Sequence, residues 1–343
     1  MSHKKSLAIS LLGIVVILAG YILHFRIVKI KAAKLVNVTA PAGYFPPQSI
    51  WTQEISNAPV DPQSSEIISW LADAGGWGNG RMQVDLSIRV LQADASTPYV
   101  PFQKAPGFYG NDSDMVSNFP LPANGGIEGQ TGYQCDIDQQ DCHLIVVDRG
   151  HGKLYEAYQA NYAESVLSAV FVAVWDLNRV YPPSGRGDQC TSSDAAGLPI
   201  APLLFNADEL ATGSINHAIR FILPNPRIRA HVFVHPATHA GSPQGPMMAP
   251  PMGAHFRLKA SYDLSRLSPA AQVVARAMQK YGMFLSDGGG IALTAQSDAD
   301  TKAKYSDVDF GPHDLQDLKV TDFEVLPLGT PIRLTDECQL TKW

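Results

Sequence analysis

The amino-acid sequence predicts a mainly β protein, in which an N-terminal transmembrane helix precedes an antiparallel β-sandwich or jelly-roll-like domain with one or two peripheral helices. Many short apolar or alternating segments are separated by turns that draw on 28 glycines and 25 prolines. Few segments place apolar residues at helical spacing. The sequence also lacks the regular alternation of strands and helices that a doubly wound parallel sheet requires.

Length and composition limit the class of protein. The 343 residues are enough for one large domain or two ordinary ones with a full core. A hydrophobic content of 45% with 17% charged residues excludes a disordered chain. The net charge of −6 argues against nucleic acid as a partner, because binding phosphate requires a basic face.

The first 25 residues predict a membrane anchor. Residues 6–25 carry no charge and are long enough to cross roughly 30 Å of hydrocarbon as a helix. Lys4 and Lys5 precede them, as in the positive region of an export signal. Bulky residues at 22–25 stand where a cleavage site would need small ones. We therefore expect an uncleaved signal anchor at 6–25, held in a lipid bilayer, with residues 1–5 as a cytoplasmic tail.

Two features point to opposite orientations of this anchor. Basic residues after the span favour a cytoplasmic C-terminal side: Arg26, Lys29, Lys31 and Lys34. An even number of cysteines without zinc-ligand spacing favours disulfides in an oxidising compartment: Cys135, Cys142, Cys190 and Cys338. A large folded domain can be translocated against the charge bias. The sequence therefore predicts a single-pass membrane protein whose main domain is extracytoplasmic, either periplasmic or extracellular.

Four cysteines allow three pairings. We prefer Cys135–Cys142 with Cys190–Cys338, since the first pair closes a short loop and leaves the second to join distant segments.

The predicted organisation is a juxtamembrane linker at residues 26–60, a single extracytoplasmic β-rich domain at 61–335 and a C-terminal tail at 336–343. Helices are predicted at 64–72, capped by Ser64 or Ser65, and at 269–280, where Ser268 precedes Pro269 in the first turn. Strands are predicted at residues 83–91, 143–147, 154–159, 166–177, 215–223, 230–235, 255–262 and 283–285.

A set of motifs carries a family resemblance: residues 75–78 (GGWG), 154–156 (LYE), 173–177 (AVWDL), 191–199 (TSSDAAGLP), 215–221 (INHAIRF), 235–239 (HPATH) and 280–287 (KYGMFLSD). Through them the stretch from about residue 51 to 323 resembles a family of uncharacterised secreted or surface-attached microbial proteins. The resemblance implies a secreted β-rich domain. It brings no established activity and no assigned catalytic residue.

Carboxylates inside these motifs are the first candidates for catalysis: Glu156, Asp176, Asp194 and Asp287. Glycoside hydrolysis needs two carboxylates about 5–9 Å apart, one of them protonated. Aromatic residues suited to stacking on sugar rings lie in the same motifs, and Trp77, Tyr158 and Trp175 are the predicted substrate-binding residues. The structural alternative is that Asp194 and Asp287 form turns and Asp176 ends a strand.

Histidine and arginine residues are the second group of candidates. A lyase would use arginine to neutralise a uronate carboxylate and histidine or tyrosine to move the proton, which selects His217, Arg220, His239 and Tyr281. A metal site could be assembled from His217, His235 and His239 on different strands; we predict no metal and no cofactor. The acidic loop at 136–141 lacks the order of a calcium loop and is interpreted as a solvated loop.

The functional prediction is an extracytoplasmic protein that binds a polysaccharide or another cell-envelope ligand. In the enzyme hypothesis it is a glycan hydrolase or lyase with catalytic residues Glu156, Asp176, Asp194, His217, Arg220, His239 and Tyr281. In the alternative it is a non-catalytic carbohydrate-binding or structural surface protein. The sequence leaves both open.

Overall fold

The computed structural model describes residues 43–107, 111–136 and 141–341. The predicted transmembrane span at residues 6–25 lies outside these ranges, as does the tail at 1–5. Within the described ranges, no helix has the length and apolar character needed to cross a bilayer.

Strands and a few helices make up the regular structure of the described residues. The helices are α1 (Ser64–Asp73), α2 (Ala207–Thr212) and α3 (Pro269–Lys280). The strands are β1 (Val84–Ile88), β2 (Val90–Ala93), β3 (Tyr99–Lys104), β4 (Asn118–Pro120), β5 (Leu144–Asp148), β6 (Lys153–Tyr158), β7 (Asn161–Ala163), β8 (Val166–Ala169), β9 (Phe171–Asp176), β10 (Ile219–Leu223), β11 (Val232–Phe233), β12 (His255–Leu258), β13 (Met283–Gly288), β14 (Leu293–Gln296), β15 (Phe323–Val325) and β16 (Ile332–Arg333). The predicted mainly β class is confirmed.

These strands form several open sheets and no closed barrel. The largest sheet has six strands in the order β1-β14-β10-β13-β12-β15. Two four-stranded sheets have the orders β2-β5-β6-β9 and β4-β3-β8-β7, and β11 pairs with β16.

The antiparallel expectation is wrong for four strand pairs. β1 with β14, β10 with β13, β2 with β5, and β3 with β8 are parallel, so the sheets are mixed. Local alternation of strands and helices is the sequence pattern that indicates parallel pairing. Here the parallel partners are distant in sequence, and local alternation cannot reveal such pairs.

Two predicted strands are each divided between sheets. The segment 83–91 becomes β1 and β2, and the segment 166–177 becomes β8 and β9. The segment 215–223 forms a strand only from Ile219, so His217 precedes β10. The hairpin of β5 and β6 and its turn are confirmed.

The helices follow their capping signals with one exception. The Ser268 hydroxyl accepts the Ala271 N–H at the start of α3, as predicted. The predicted serine cap of α1 is wrong, because Gln63 is the N-cap residue. The Ser64 hydroxyl instead accepts the Val325 N–H, which attaches α1 to β15.

Segments beyond the predicted domain limits also join the fold. Phe45 and Trp51 are buried in the main core, so the described part of the predicted linker 26–60 packs against the domain. Cys190–Cys338 attaches the predicted tail 336–343, and Cys135–Cys142 closes the short loop. The predicted disulfide pairing is confirmed.

Candidate active site

A cavity of about 310 Å³ is lined by carboxyl, hydroxyl and imidazole groups. Its polar walls come from the segment before β5, from β6, from β13 and from the loop after β9, and include Asp141, His143, Tyr158, Ser193, Asp194 and Asp287. We call it the acid cavity.

Three neighbouring strands place Arg220, Asp287 and Thr294 on one face of the six-stranded sheet. Arg220 lies in β10 next to Phe221, whose partner in the antiparallel β14 is Leu293. Thr294 therefore comes opposite Arg220. A register shift between β10 and β13 aligns Asp287 with the residue two positions after Arg220. Since side chains alternate along a strand and paired residues face the same side, the three polar groups meet.

Arg220 and Asp194 form a buried bidentate ion pair. Arg220 Nε lies 3.0 Å from Asp194 Oδ2, and Nη2 lies 2.7 Å from Oδ1. Their side chains are 2% and 0% exposed. Burial opposes the charge of Arg220, but the Asp194 carboxylate outweighs it and raises the Arg220 pKa.

Asp287 is the second carboxyl group beside Arg220. Its Oδ2 lies 3.4 Å from Arg220 Nη2, and its side chain is 28% exposed. Burial and then the negative charge of Asp194 raise the Asp287 pKa to about 7, against the lowering effect of Arg220. Two carboxyl groups with such different environments can divide the roles of acid and anion.

His143 and Glu128 form another buried pair at the cavity. His143 Nδ1 lies 2.6 Å from Glu128 Oε2, and Nε2 lies 3.0 Å from the Ser193 carbonyl oxygen. Burial alone would lower the His143 pKa, but Glu128 outweighs it and the pKa rises to about 9. The imidazolium can therefore donate at both nitrogens, which fixes the loop that carries Asp194.

Tyr158 lies between two of the cavity's carboxyl groups. Its hydroxyl is 3.5 Å from Asp141 Oδ1, at the limit of a hydrogen bond. Burial, followed by the charges of Asp141 and Asp287, raises the Tyr158 pKa to about 12. The neutral phenol gives the cavity a flat apolar wall with a polar edge.

Glu156 lies behind the cavity and does not line it. Its Oε1 accepts the N–H groups of Ile200 and Ala201 at 2.8 and 2.9 Å, and its Oε2 accepts Trp175 Nε1 at 2.9 Å. Burial raises its pKa to about 7 despite these bonds. Since the carboxyl is fully enclosed, it holds the 193–201 segment against β6 and β9 and does not face a substrate.

Other predicted site residues lie in the core or on a different surface. Asp176 pairs with Lys153 at 3.0 Å, five residues along β9 from the cavity-lining Phe171. Trp77 donates to the Leu318 carbonyl in the core. Trp175 is 1% and Tyr281 8% exposed.

The predicted histidines do not assemble a common site. His217 pairs with Glu209 in a separate cavity. His239 Nε2 lies 3.4 Å from Asp336, and His235 Nε2 lies 2.8 Å from Asp188. Among the described residues no group of three or more metal-ligating side chains is placed to hold an ion, and His217, His235 and His239 each pair with a different carboxylate.

The structure thus brings together Asp194, Arg220 and Tyr158 from the predicted set. It also includes Asp287, one of the four carboxylate candidates, for which a turn was the structural alternative, and it adds His143 and Asp141, which flank the disulfide-bonded Cys142. The apolar residues before Asp287 were the available sequence signal, because they indicate a strand, and β13 extends through Asp287. Comparison of the chain with protein families, with curated proteins and with solved structures finds no match in any of the three.

Proposed function

We propose that the domain binds a polysaccharide in the acid cavity and hydrolyses its glycosidic bonds, with Asp287 as the general acid. The supporting observation is a partly exposed carboxyl group in the cavity wall whose pKa is about 7. A glycosidic oxygen needs a proton as its bond breaks, and a carboxyl that is still protonated near neutral pH can supply it.

Asp141 is the proposed second carboxylate. Asp194 also lines the cavity, but both of its oxygens are bound to Arg220 and its side chain is fully buried. Asp141 is exposed and reaches Tyr158. In the proposed reaction the Asp287 proton goes to the leaving oxygen, and the Asp141 carboxylate takes a proton from the water that attacks the sugar carbon.

The charges of the cavity favour a hydrolase over a lyase. A lyase would need a cation free to neutralise a uronate carboxylate. Of the described residues that line the cavity, His143 alone carries positive charge, and both of its nitrogens are bonded within the protein. The Arg220 guanidinium does not line the cavity, and it already donates hydrogen bonds to Asp194, Asp287 and Thr294.

We propose further that the domain works outside the cytoplasm, anchored through residues 6–25. Two disulfides with no free cysteine among the described residues support an oxidising compartment.

The test is reducing-sugar release from a panel of neutral polysaccharides by the full chain, compared between Asp287→Asn and Asp176→Asn. Both variants replace an aspartate with its amide, but Asp176 lies on the surface beside Lys153. We expect Asp287→Asn to lose at least about 100-fold in rate and Asp176→Asn to match the wild type. The wild-type rate should fall as the pH rises through about 7, where Asp287 loses its proton.

Equal rates for the two variants would contradict the assignment of Asp287. A wild-type protein that retains polysaccharide in pull-downs and releases no sugar would support the carbohydrate-binding alternative.

A further inference from the structure

A second cavity of about 280 Å³ lies apart from the acid cavity and shares none of its lining residues. Its walls include the Gly43–Phe45 segment, Trp51, Asn206, His217 and Gln296. Because two of its buried lining residues are amides, Asn206 and Gln296, we call it the amide cavity. At the lower end of the usual size of ligand pockets, it can hold one small molecule.

The main charged groups in its wall are already paired within the protein. His217 Nε2 lies 3.1 Å from Glu209 Oε1, and His217 Nδ1 lies 2.8 Å from the Ala218 carbonyl oxygen. Asp300 is bound bidentately by Arg89. The other charged lining groups, Asp208 and Arg149, are bonded as well: Asp208 Oδ1 accepts the Ala303 N–H at 2.6 Å, and Arg149 donates to the Gly43 carbonyl oxygen at 3.4 Å and lies over the Tyr44 ring. The lining therefore offers little to a charged ligand, since such a ligand would have to displace one of these partners.

Two buried amides are left without such partners. Asn206 is 7% and Gln296 6% exposed. The Asn206 Oδ1 accepts the Glu209 N–H and so caps α2, but among the described residues its Nδ2 has no bond. The Gln296 side-chain amide has none either, in the same ranges, although both of its backbone groups are bonded.

A backbone hydrogen bond holds the segments of Asn206 and Gln296 together. The Gln296 N–H donates to the carbonyl of Phe205 at 2.9 Å, and Phe205 directly precedes Asn206. The unbonded amide atoms of Asn206 and Gln296 are accessible in the cavity that both residues line, so they are suited to a ligand that bonds to both.

We propose that the amide cavity binds a neutral sugar unit through Asn206 and Gln296. Amides both donate and accept, which matches hydroxyl groups that do the same. The paired charges select against charged ligands, and Tyr44 and Trp51 supply the aromatic part of the wall. The proposal rests on the two amides and not on catalysis in the acid cavity.

The test is NMR titration of the full chain with D-glucose and N-acetyl-D-glucosamine, and with D-glucuronate and D-glucosamine as charged counterparts. The readout is the side-chain NH₂ signals of Asn206 and Gln296, assigned through Gln296→Met and Asn206→Ser. The serine variant retains an oxygen that can cap α2. At least one neutral sugar should shift both signals, and the charged sugars should bind at least fivefold more weakly.

Gln296→Met should weaken binding of that sugar at least fivefold, whereas the matched exposed control Gln316→Met should bind as the wild type does. Asp287→Asn should leave the titration unchanged, which separates this proposal from the hydrolase proposal. If Gln296→Met does not fold, Asn206→Ser carries the same expectation. The proposal is overturned if neither neutral sugar moves the two signals at tens of millimolar, if charged sugars bind equally well, or if both amide variants bind normally.

Discussion

Removing the positive charge of Arg220 tests the network that shapes the acid cavity. Arg220→Met keeps an unbranched side chain of similar length and takes away every hydrogen bond to Asp194, Asp287 and Thr294. Asp194 then remains as a fully buried, unpaired carboxylate. Breaking such a pair from one side destabilises a protein by about 3–5 kcal/mol, a large part of the total stability of a typical domain.

The matched partner is the double variant Arg220→Met with Asp194→Leu, which removes both charges. Replacing a buried ion pair with apolar side chains of similar volume is often close to neutral. We therefore expect the double variant to be more stable than Arg220→Met alone. The assay is urea unfolding at pH 7, followed by tryptophan fluorescence, with the slope of each transition compared between variants.

Two results would refute this reasoning. The first is a change of less than about 1 kcal/mol in the free energy of unfolding of Arg220→Met, the range of an exposed ion pair. The second is a double variant that loses the sum of the losses of Arg220→Met and Asp194→Leu measured singly, which would mean that Arg220 and Asp194 are not energetically coupled.

Further predictions concern pH and the disulfides. The pKa of His143 rises from 6.5 to about 9 on folding, so its pairing with Glu128 stabilises the protein fully below pH 6.5. On the order of 3 kcal/mol of this stability should be lost as the pH rises through about 9. Urea unfolding measured across this pH range should show the loss in the wild type and a smaller loss in His143→Gln. Serine replacement of Cys190 and Cys338, which are 148 residues apart, should lower the free energy of unfolding by about 5 kcal/mol, against about 2–3 kcal/mol for Cys135 and Cys142, which are 7 apart. Equal losses for the two disulfides would contradict the chain-entropy argument.

Local signals in the sequence predicted local structure well. The start of α3 follows from Ser268 and Pro269, and the hairpin of β5 and β6 follows from two apolar runs around a glycine turn. Spacing between cysteines was enough for both disulfides. Each of these features depends on residues that are close in sequence or on a simple choice among pairings.

Contacts between segments that are distant in sequence could not be predicted from local patterns. The parallel neighbours β10 and β13 are joined by about 60 residues that include β12 and α3, and no local pattern marks them as partners. Asp287 was weighed as a turn residue because three glycines follow it, whereas β13 extends through it and its register with β10 brings it to Arg220. His217 and Arg220 were predicted to lie in one strand at 215–223 and in one lyase site, yet His217 precedes β10 and lines the amide cavity.

The most direct measurement of the central claim is the titration of the Asp287 carboxyl by carbon-13 NMR, assigned by comparison with Asp287→Asn. The structure predicts a midpoint near 7, so that this acid is still half protonated at neutral pH. A midpoint at or below 4, the ordinary range of an aspartate, would contradict its assignment as the proton donor of the acid cavity.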